Sequence, residues 1–399
     1  MSLRTEAGAI AGELVALRRA LHRHPEVGLD LPRTQRAVLD ALAGLPLEIS
    51  TGTELSSVTA VLRGGRPGPA VLLRGDLDAL PLTEDSGEPF SSAIAGAMHA
   101  CGHDLHTAGL IGAARLLAAR REELPGDVVF MFQPGEEGLD GAGRMIAEGV
   151  LTAAGAPVIA AYGLHVLASG LPTGMFSGRP GPLMAAADGL YVTVLGSGGH
   201  GSTPHTAADP VPVACEMVLA LQTMVTRQFD VFDPVVVTVG QFHAGTIRNI
   251  IPDSASFDAT VRTFSAAGRD RMARAAVELC TGIAAAHGLK ADVRFVSEYP
   301  VTVNNAREHE FLAGAIGEVF GPERFSAMAN PATASEDFSR VLNEVPGAYV
   351  FLGASRSAEP ESAPFNHSPL ARFDDAVLPD GAALLAELAV RRLAAATRN

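Results

Sequence analysis

The chain has 399 residues, a formal net charge of −14, 47% hydrophobic and 19% charged residues, 42 glycines and no tryptophan. That length exceeds what one hydrophobic core usually serves, so two domains are expected, and the composition is far from the low-hydrophobicity signature of disorder. The acidic balance argues against nucleic acid as a partner, since such binding rests on a basic surface, and there is no aromatic platform for single strands.

Three cysteines, at 101, 215 and 280, are odd in number and far apart, which is not a disulfide framework. The opening stretch "MSLRTEAGAIAGELVALRRALHRHPE" carries Arg and Glu throughout and has no continuous apolar core. Neither a signal peptide nor a membrane span is expected, and a cytoplasmic location follows as the default.

In chain order, Ile10, Leu14, Leu17 and Leu21 fall at helical spacing and predict an amphipathic helix over 5–23, ended by Pro25. A second helix is expected over "TQRAVLDALAGL". Two strands, "SSVTAVLRG" and "AVLLRGDLDALP", are split by the turn signal "GGRPGP". "TAGLIGAARLLAARREEL" reads as an Ala/Leu helix, and "DVVFMFQP" as a buried strand running into "GEEG". This alternation indicates an α/β sheet. The polar clusters stand where strands end: Asp76 and Asp78, Glu136 and Glu137, then His165 after "VIAAYGL". Open α/β sheets bind ligands at the carboxyl ends of their strands, so one shared site is expected.

From about 180 the texture changes. Strands, a helix near 210–228, two more strands, a helix near 267–287 and a final strand give a β-α-β-β-α-β order, that of a ferredoxin-like two-layer domain. It is expected at 181–296, inserted into a discontinuous first domain of 1–180 and 297–399. The chain then resumes α/β alternation, with "GAYVFLGA" before the polar "NHSP".

The chemistry centres on "MHACGHDLH", residues 98–106. A thioredoxin-like pair is denied by the absence of a second cysteine two residues on. A catalytic thiol at Cys101 and a buried cysteine beside a helix-capping His103 both stay open. "QPGEEG" sets Glu136 and Glu137 side by side after a strand. Paired acids on a loop are usually solvated surface, but their place at a strand end points toward the site. His165 lies in an apolar context, where a lone histidine is more often a satisfied core residue; His367 lies in a Pro-bounded loop. Cys101, His103, Glu137, His165 and His367 together offer five sulfur, nitrogen and oxygen donors, a number that suits two metal ions sharing a bridge.

The stretches "LHRHPE", "RGDLDALP", "MHACGHDLHTA", "QPGEEG", "GLHV", "GGHGSTPH", "NIIPDSASFDATVRTF", "SEDF" and "NHSP" occur in order over nearly the whole chain. In this the sequence resembles the M20 metallopeptidase superfamily, and most of all its aminoacylase, hippurate hydrolase and auxin-conjugate amidohydrolase branch. The resemblance implies a zinc-peptidase-like catalytic domain, with a mixed sheet between helices, and an inserted ferredoxin-like α+β domain that serves as dimerisation element and lid. It implies Cys101 as the ligand bridging two divalent ions, His103 with His165 on one ion and Glu137 with His367 on the other. Asp78 supports a ligand from behind, Glu136 is the general base and His200 a second oxyanion donor reaching the partner subunit of a homodimer. Asn249 and Arg262 grip the substrate carboxylate, and His99 and His106 are structural. By ligand type zinc is expected first and manganese second, with cobalt or nickel compatible.

The function so implied is hydrolysis of the amide of an N-acyl-L-amino acid, hippurate-like or N-acetyl. N-acetyl-diaminopimelate deacetylation or dipeptide cleavage is the near alternative, and a metal-binding protein without catalysis the non-enzymatic one.

Overall fold

The computed structural model describes residues 1–397. These form two compact units, one of Met1–Leu183, Val303–Asn330 and the described residues from Arg340 onward, the other of Met184–Thr302 and Pro331–Ser339. The second unit therefore shares 184–296 with the expected inserted domain and extends beyond it at both 297–302 and 331–339.

The expected helix over 5–23 is two helices, α1 (Leu3–Ala9) and α2 (Ala11–His22), broken at Ile10. Gly8 and Gly12 flank the break, and glycine is among the weakest helix formers. α3 (Pro32–Leu42) follows, then β1 (Leu47–Thr51), a strand not foreseen because it is an almost wholly exposed edge with no apolar run to announce it.

The first unit is built on an eight-stranded mixed sheet. Its members are β1, β2 (Val58–Leu62), β3 (Ala70–Asp76), β4 (Asp127–Gln133), β5 (Val158–Leu167), β6 (Phe176–Gly178), β15 (Phe325–Ala327) and β16 (Gly347–Gly353). Their order is β1-β2-β4-β3-β5-β16-β6-β15. β3, β4, β5 and β16 run parallel, and every residue of β3 and β16 is buried, which explains why these strands read as continuous apolar runs. α4 (His103–Ala118) packs on β3 and against α2 and the last helix, α10 (Leu378–Ala396). α4 starts four residues before the expected Thr107, because its first turn is polar. α5 (Gly141–Ala147), α8 (Ala306–Phe320) and α9 (Ser339–Glu344) complete the helices of this part of the chain.

The second unit holds an antiparallel sheet of β8 (Ala187–Leu195), β10 (Val235–Ala244), β12 (Ser254–Thr263) and β13 (Lys290–Tyr299) in the order β10-β12-β8-β13. Alternate residues of β12 are buried. Leu190, Val192, Phe257 and Val261 pack with Met217 and Leu221 of α6 (Pro210–Gln228) and with Met272 and Cys280 of α7 (Ala266–Ala286), so the helices cover one face of the sheet. A short ribbon pairs β9 (Gly199–His200) with β11 (Ile250–Ile251). Two further short strands, β7 (Gly181–Met184) and β14 (Thr302–Asn304), stand where the chain passes between the units.

Candidate active site

The parallel strands deliver their polar residues to one end of the sheet. β3 ends at Asp76 and runs on to Asp78, β4 turns through Pro134 and Gly135 into Glu136 and Glu137, and β5 carries His165 near its end. Cys101 and His103 flank Gly102 at the start of α4. Gly102 has φ +85, and a Cβ there would lie 2.4 Å from Val166 Cγ2, so only glycine permits the bend that brings sulfur and imidazole together.

Cys101 Sγ lies 3.3 Å from His165 Nε2 and 3.2 Å from His367 Nε2, and His367 Nε2 lies 3.2 Å from Glu137 Oε1. The donor atoms of Cys101, His103 and His165 fall within 4.8 Å of one another, as do those of Cys101, Glu137 and His367. Two three-residue groups thus share one sulfur. A Glu136 oxygen stands within the same distance of donors on His103 and Glu137.

The surroundings aim each donor. His103 Nδ1 hydrogen-bonds the Asp78 carbonyl at 2.9 Å, and His165 Nδ1 the Val166 carbonyl at 2.8 Å, so both imidazoles turn Nε2 toward the sulfur. His103 Nε2 is buried without a hydrogen-bond partner, which is costly unless a cation takes the lone pair. This orphaned nitrogen, with sulfur, carboxylate and further imidazole donors around it, fits a divalent metal.

His367 is held in a left-handed conformation, φ +70, which a non-glycine residue adopts only under constraint. Its N–H donates to Ala100 O at 2.9 Å. Asn366 supplies the rest: its Nδ2 donates to Val166 O at 3.0 Å and to Cys101 O at 3.3 Å, and its Oδ1 accepts from Ala168 N at 2.8 Å. Sequence reading missed Asn366; its only signal was an asparagine next to the histidine in a Pro-bounded loop.

The buried Asp78 carboxylate accepts the backbone N–H groups of Glu136, at 3.1 Å, and Glu137, at 3.0 Å. It therefore holds the acidic loop itself, while its own carbonyl orients His103. Asp76 lies between Arg74 Nη1 and His106 Nδ1, both at 2.6 Å, and stays 3.6 Å from His103 Nε2. His106 Nε2 accepts from Val166 N at 2.8 Å, so both of its nitrogens are committed. His99 is also buried, with neither nitrogen bonded, and burial drops its imidazole to about 3.

The electrostatics follow from this crowding. Burial opposes the Cys101 thiolate, but His165 and His103 outweigh it and hold the thiol well below its ordinary range. Burial opposes the His103 cation too, and Asp76 and Cys101 outweigh it, lifting the imidazole well above its usual value. Hydrogen bonds to Cys101 and Glu137 raise His367 to about 10. Burial, then the Cys101 thiolate, raises Glu137. The shifts place negative sulfur and carboxylate donors among imidazoles around one point, where positive charge is stabilised.

His200, Asn249 and Arg262 belong to the second unit. His200 and Asn249 come together on the β9–β11 ribbon, where Gly201 N donates to Asn249 O at 2.9 Å. His200 Nδ1 accepts from Ser202 N at 3.1 Å, which leaves the exposed ring's proton on Nε2. Arg262 is half-buried on β12, opposite Val236.

Sheet and cluster together define a dinuclear metal hydrolase. A model of peptidase family M20/M25/M40 matches residues 72–391, and the chain belongs to that family. It is an enzyme that hydrolyses amides. It is 35% identical to thermostable carboxypeptidase 2 of Saccharolobus solfataricus, over 98% of either chain. It is 34% identical to hippurate hydrolase of Campylobacter jejuni, over 98% of this chain and all of that one. A crystal structure of a dinuclear metal binding peptidase of the M20 family from Bacillus subtilis superposes with TM-score 0.83 at 32% identity, covering 97% of this chain and 99% of that one.

Proposed function

We propose that this enzyme releases amino acids from N-acyl-L-amino acids, hippurate-like or N-acetylated, at a centre where Cys101, His103, His165, Glu137 and His367 would hold two divalent ions, Cys101 being common to both donor groups. The observation that carries the reading is the single sulfur shared by two donor groups, His103 with His165 and Glu137 with His367, with Glu136 beside them. Thiolate and imidazole donors favour zinc, with manganese next. When bound, two divalent ions supply the Lewis acidity that lowers the pKa of water and polarises the amide carbonyl. Glu136 takes the proton of the attacking water and passes it to the leaving nitrogen. Asp78 keeps that carboxylate in place through the two loop amides.

The second unit acts as an inserted, ferredoxin-like domain for dimerisation and closure, and the enzyme works in the cytoplasm as a homodimer. In support, its strand order matches that fold, and Leu219, Val231, Phe232 and Phe242 leave apolar surface exposed on it. No helix among the described residues is long and apolar enough to cross a membrane. His200, with its proton on Nε2, suits an oxyanion donor. Asn249 and Arg262 suit the substrate carboxylate, to which arginine offers a planar fork. Dipeptide cleavage is a second reading, favoured by the identity to thermostable carboxypeptidase 2.

Amino-acid release from hippurate, N-acetyl-L-methionine, N-acetyl-diaminopimelate and a dipeptide, each with zinc, manganese and chelator, tests this. Metal-dependent release from the first two is expected. Undiminished release in chelator, or turnover at the wild-type rate by Glu136→Gln, would refute the mechanism.

A further inference from the structure

Asp140 and His367 are the two non-glycine residues with positive φ among the described residues. His367 belongs to the metal cluster; Asp140, at φ 54 and ψ 47, does not. Such a conformation costs an L-residue about 1 kcal/mol and persists only where the surroundings impose it. Here Arg340 places its fork on the carboxylate, Nε to Oδ1 at 3.0 Å and Nη2 to Oδ2 at 3.0 Å. Arg340 is the residue at which the chain re-enters the first unit after Pro331–Ser339.

Asp140 stands four residues after Glu136, and the chain between them closes on itself. Gly138 N donates to Glu136 O at 2.7 Å and Gly141 N to Gly135 O at 3.1 Å. A Cβ on Gly141 would lie 1.7 Å from Pro134 O, so the ends of the loop are pressed together. A loop this tight moves as a body. Asp78 holds its near side through the amides of Glu136 and Glu137; on its far side Arg144 Nε donates to Leu139 O at 3.1 Å and Arg340 grips the Asp140 carboxylate.

We propose that the Asp140–Arg340 pair is a second clamp that positions the Glu136 carboxylate for proton transfer. Both are positioning residues, and the proposal rests on Glu136 being the base. The alternative is an ordinary surface ion pair. With side chains 34% and 38% exposed, such a pair contributes little to stability and nothing to turnover. The two ideas differ in what they predict for kcat.

The test compares metal-loaded, full-length wild type with Asp140→Gly, Arg340→Lys, their double variant and Glu136→Gln. It measures kcat and KM on an N-acyl amino acid, bound metal per chain and melting temperature. Glycine adopts positive φ without strain, so Asp140→Gly removes the grip without destabilising the turn. Expected is a fall in kcat of about 10- to 100-fold for each single variant, the scale of a misplaced catalytic group. KM should stay within about twofold, metal content and melting temperature should be unchanged, and the double variant should be no slower than the slower single one. Wild-type kcat in both single variants, with Glu136→Gln inactive, overturns the clamp and leaves the base assignment standing. Loss of metal in step with loss of turnover overturns it as well, and normal turnover in Glu136→Gln removes clamp and base together.

Discussion

Asp78→Asn is the most direct probe of how the acidic loop is built. The substitution keeps shape and volume but turns one of two acceptor oxygens into a donor. Either the Glu136 N–H at 3.1 Å or the Glu137 N–H at 3.0 Å then meets an NH2 group inside a buried site. A hydrogen bond to a charged acceptor contributes about 1.5–3 kcal/mol, and an unsatisfied buried N–H costs about 1–3 kcal/mol. These overlap, so about 2–4 kcal/mol is at stake. If the fold absorbs it, the melting temperature falls by about 4–16 °C, at roughly 2–4 °C per kcal/mol in a unit of this size. If the loop relaxes instead, Glu137 withdraws from the cluster and metal affinity drops about 10- to 100-fold, as for other groups that orient ligands from behind. Thermal melting and competitive metal titration on the same preparation separate the two routes. A variant that melts within a degree of wild type, binds metal equally well and turns over at the wild-type rate would show that the carboxylate does not hold the loop.

Cobalt-substituted protein should show thiolate-to-cobalt charge-transfer absorption that Cys101→Ser abolishes, with bound metal falling below two per chain; persistence of the band in the variant would remove sulfur from the site. Glu84 gives a pH-dependent prediction: burial works to raise it, but hydrogen bonds from His22, Ser86 and the Ser92 amide bring it down to about 2. Its folded value lies below its unfolded one, so its stabilisation is present above about 4.5 and lost as pH falls toward 2. Glu84→Gln should therefore flatten the melting temperature against pH across that window, and an unchanged acid limb would contradict the assignment. Tyr162 donates to Glu308 Oε2 at 2.5 Å, and Arg392 binds both Glu308 oxygens at 3.1 Å. Tyr162→Phe should cost about 1–3 kcal/mol in denaturant unfolding. Because it points from the face of β5 opposite His165, turnover should hold; a parallel loss would mean the network reaches the site.

What could be read in the sequence depended on how local its cause was. "DVVFMFQP" and "GAYVFLGA" announce themselves because strands buried on both faces are apolar throughout. Cys101, His103, Glu137 and His165 could be grouped because each sits where a parallel strand or its following helix begins or ends; His367 lies in the loop between β16 and α10. The break at Ile10 and the exposed edge strand β1 had no such pattern to betray them. Which atoms the supports hold was illegible for a different reason, even for Asp78, which the family resemblance implied as a support. Asp78 serves backbone amides nearly sixty positions away, Asn366 bonds to carbonyls of Cys101 and Val166, and Arg340 meets Asp140 two hundred residues upstream. None of these pairs has a spacing that repeats, and each exists only once the strands have been ordered.

The same supports decide between a metal centre and a thiol enzyme. A nucleophilic cysteine needs one base and an open path to its sulfur. Cys101 is 6% exposed, its sulfur is within 3.3 Å of two imidazoles, and a third imidazole beside it has an unpartnered nitrogen. One proton transfer would employ one of those imidazoles and leave the others surplus. Two of the three are fixed through Nδ1 by backbone carbonyls, which sets the tautomer with Nε2 as electron-pair donor. A base that must cycle its proton gains nothing from three such donors converging on one sulfur, whereas a metal centre held by Cys101, His103, His165 and His367 would use every one.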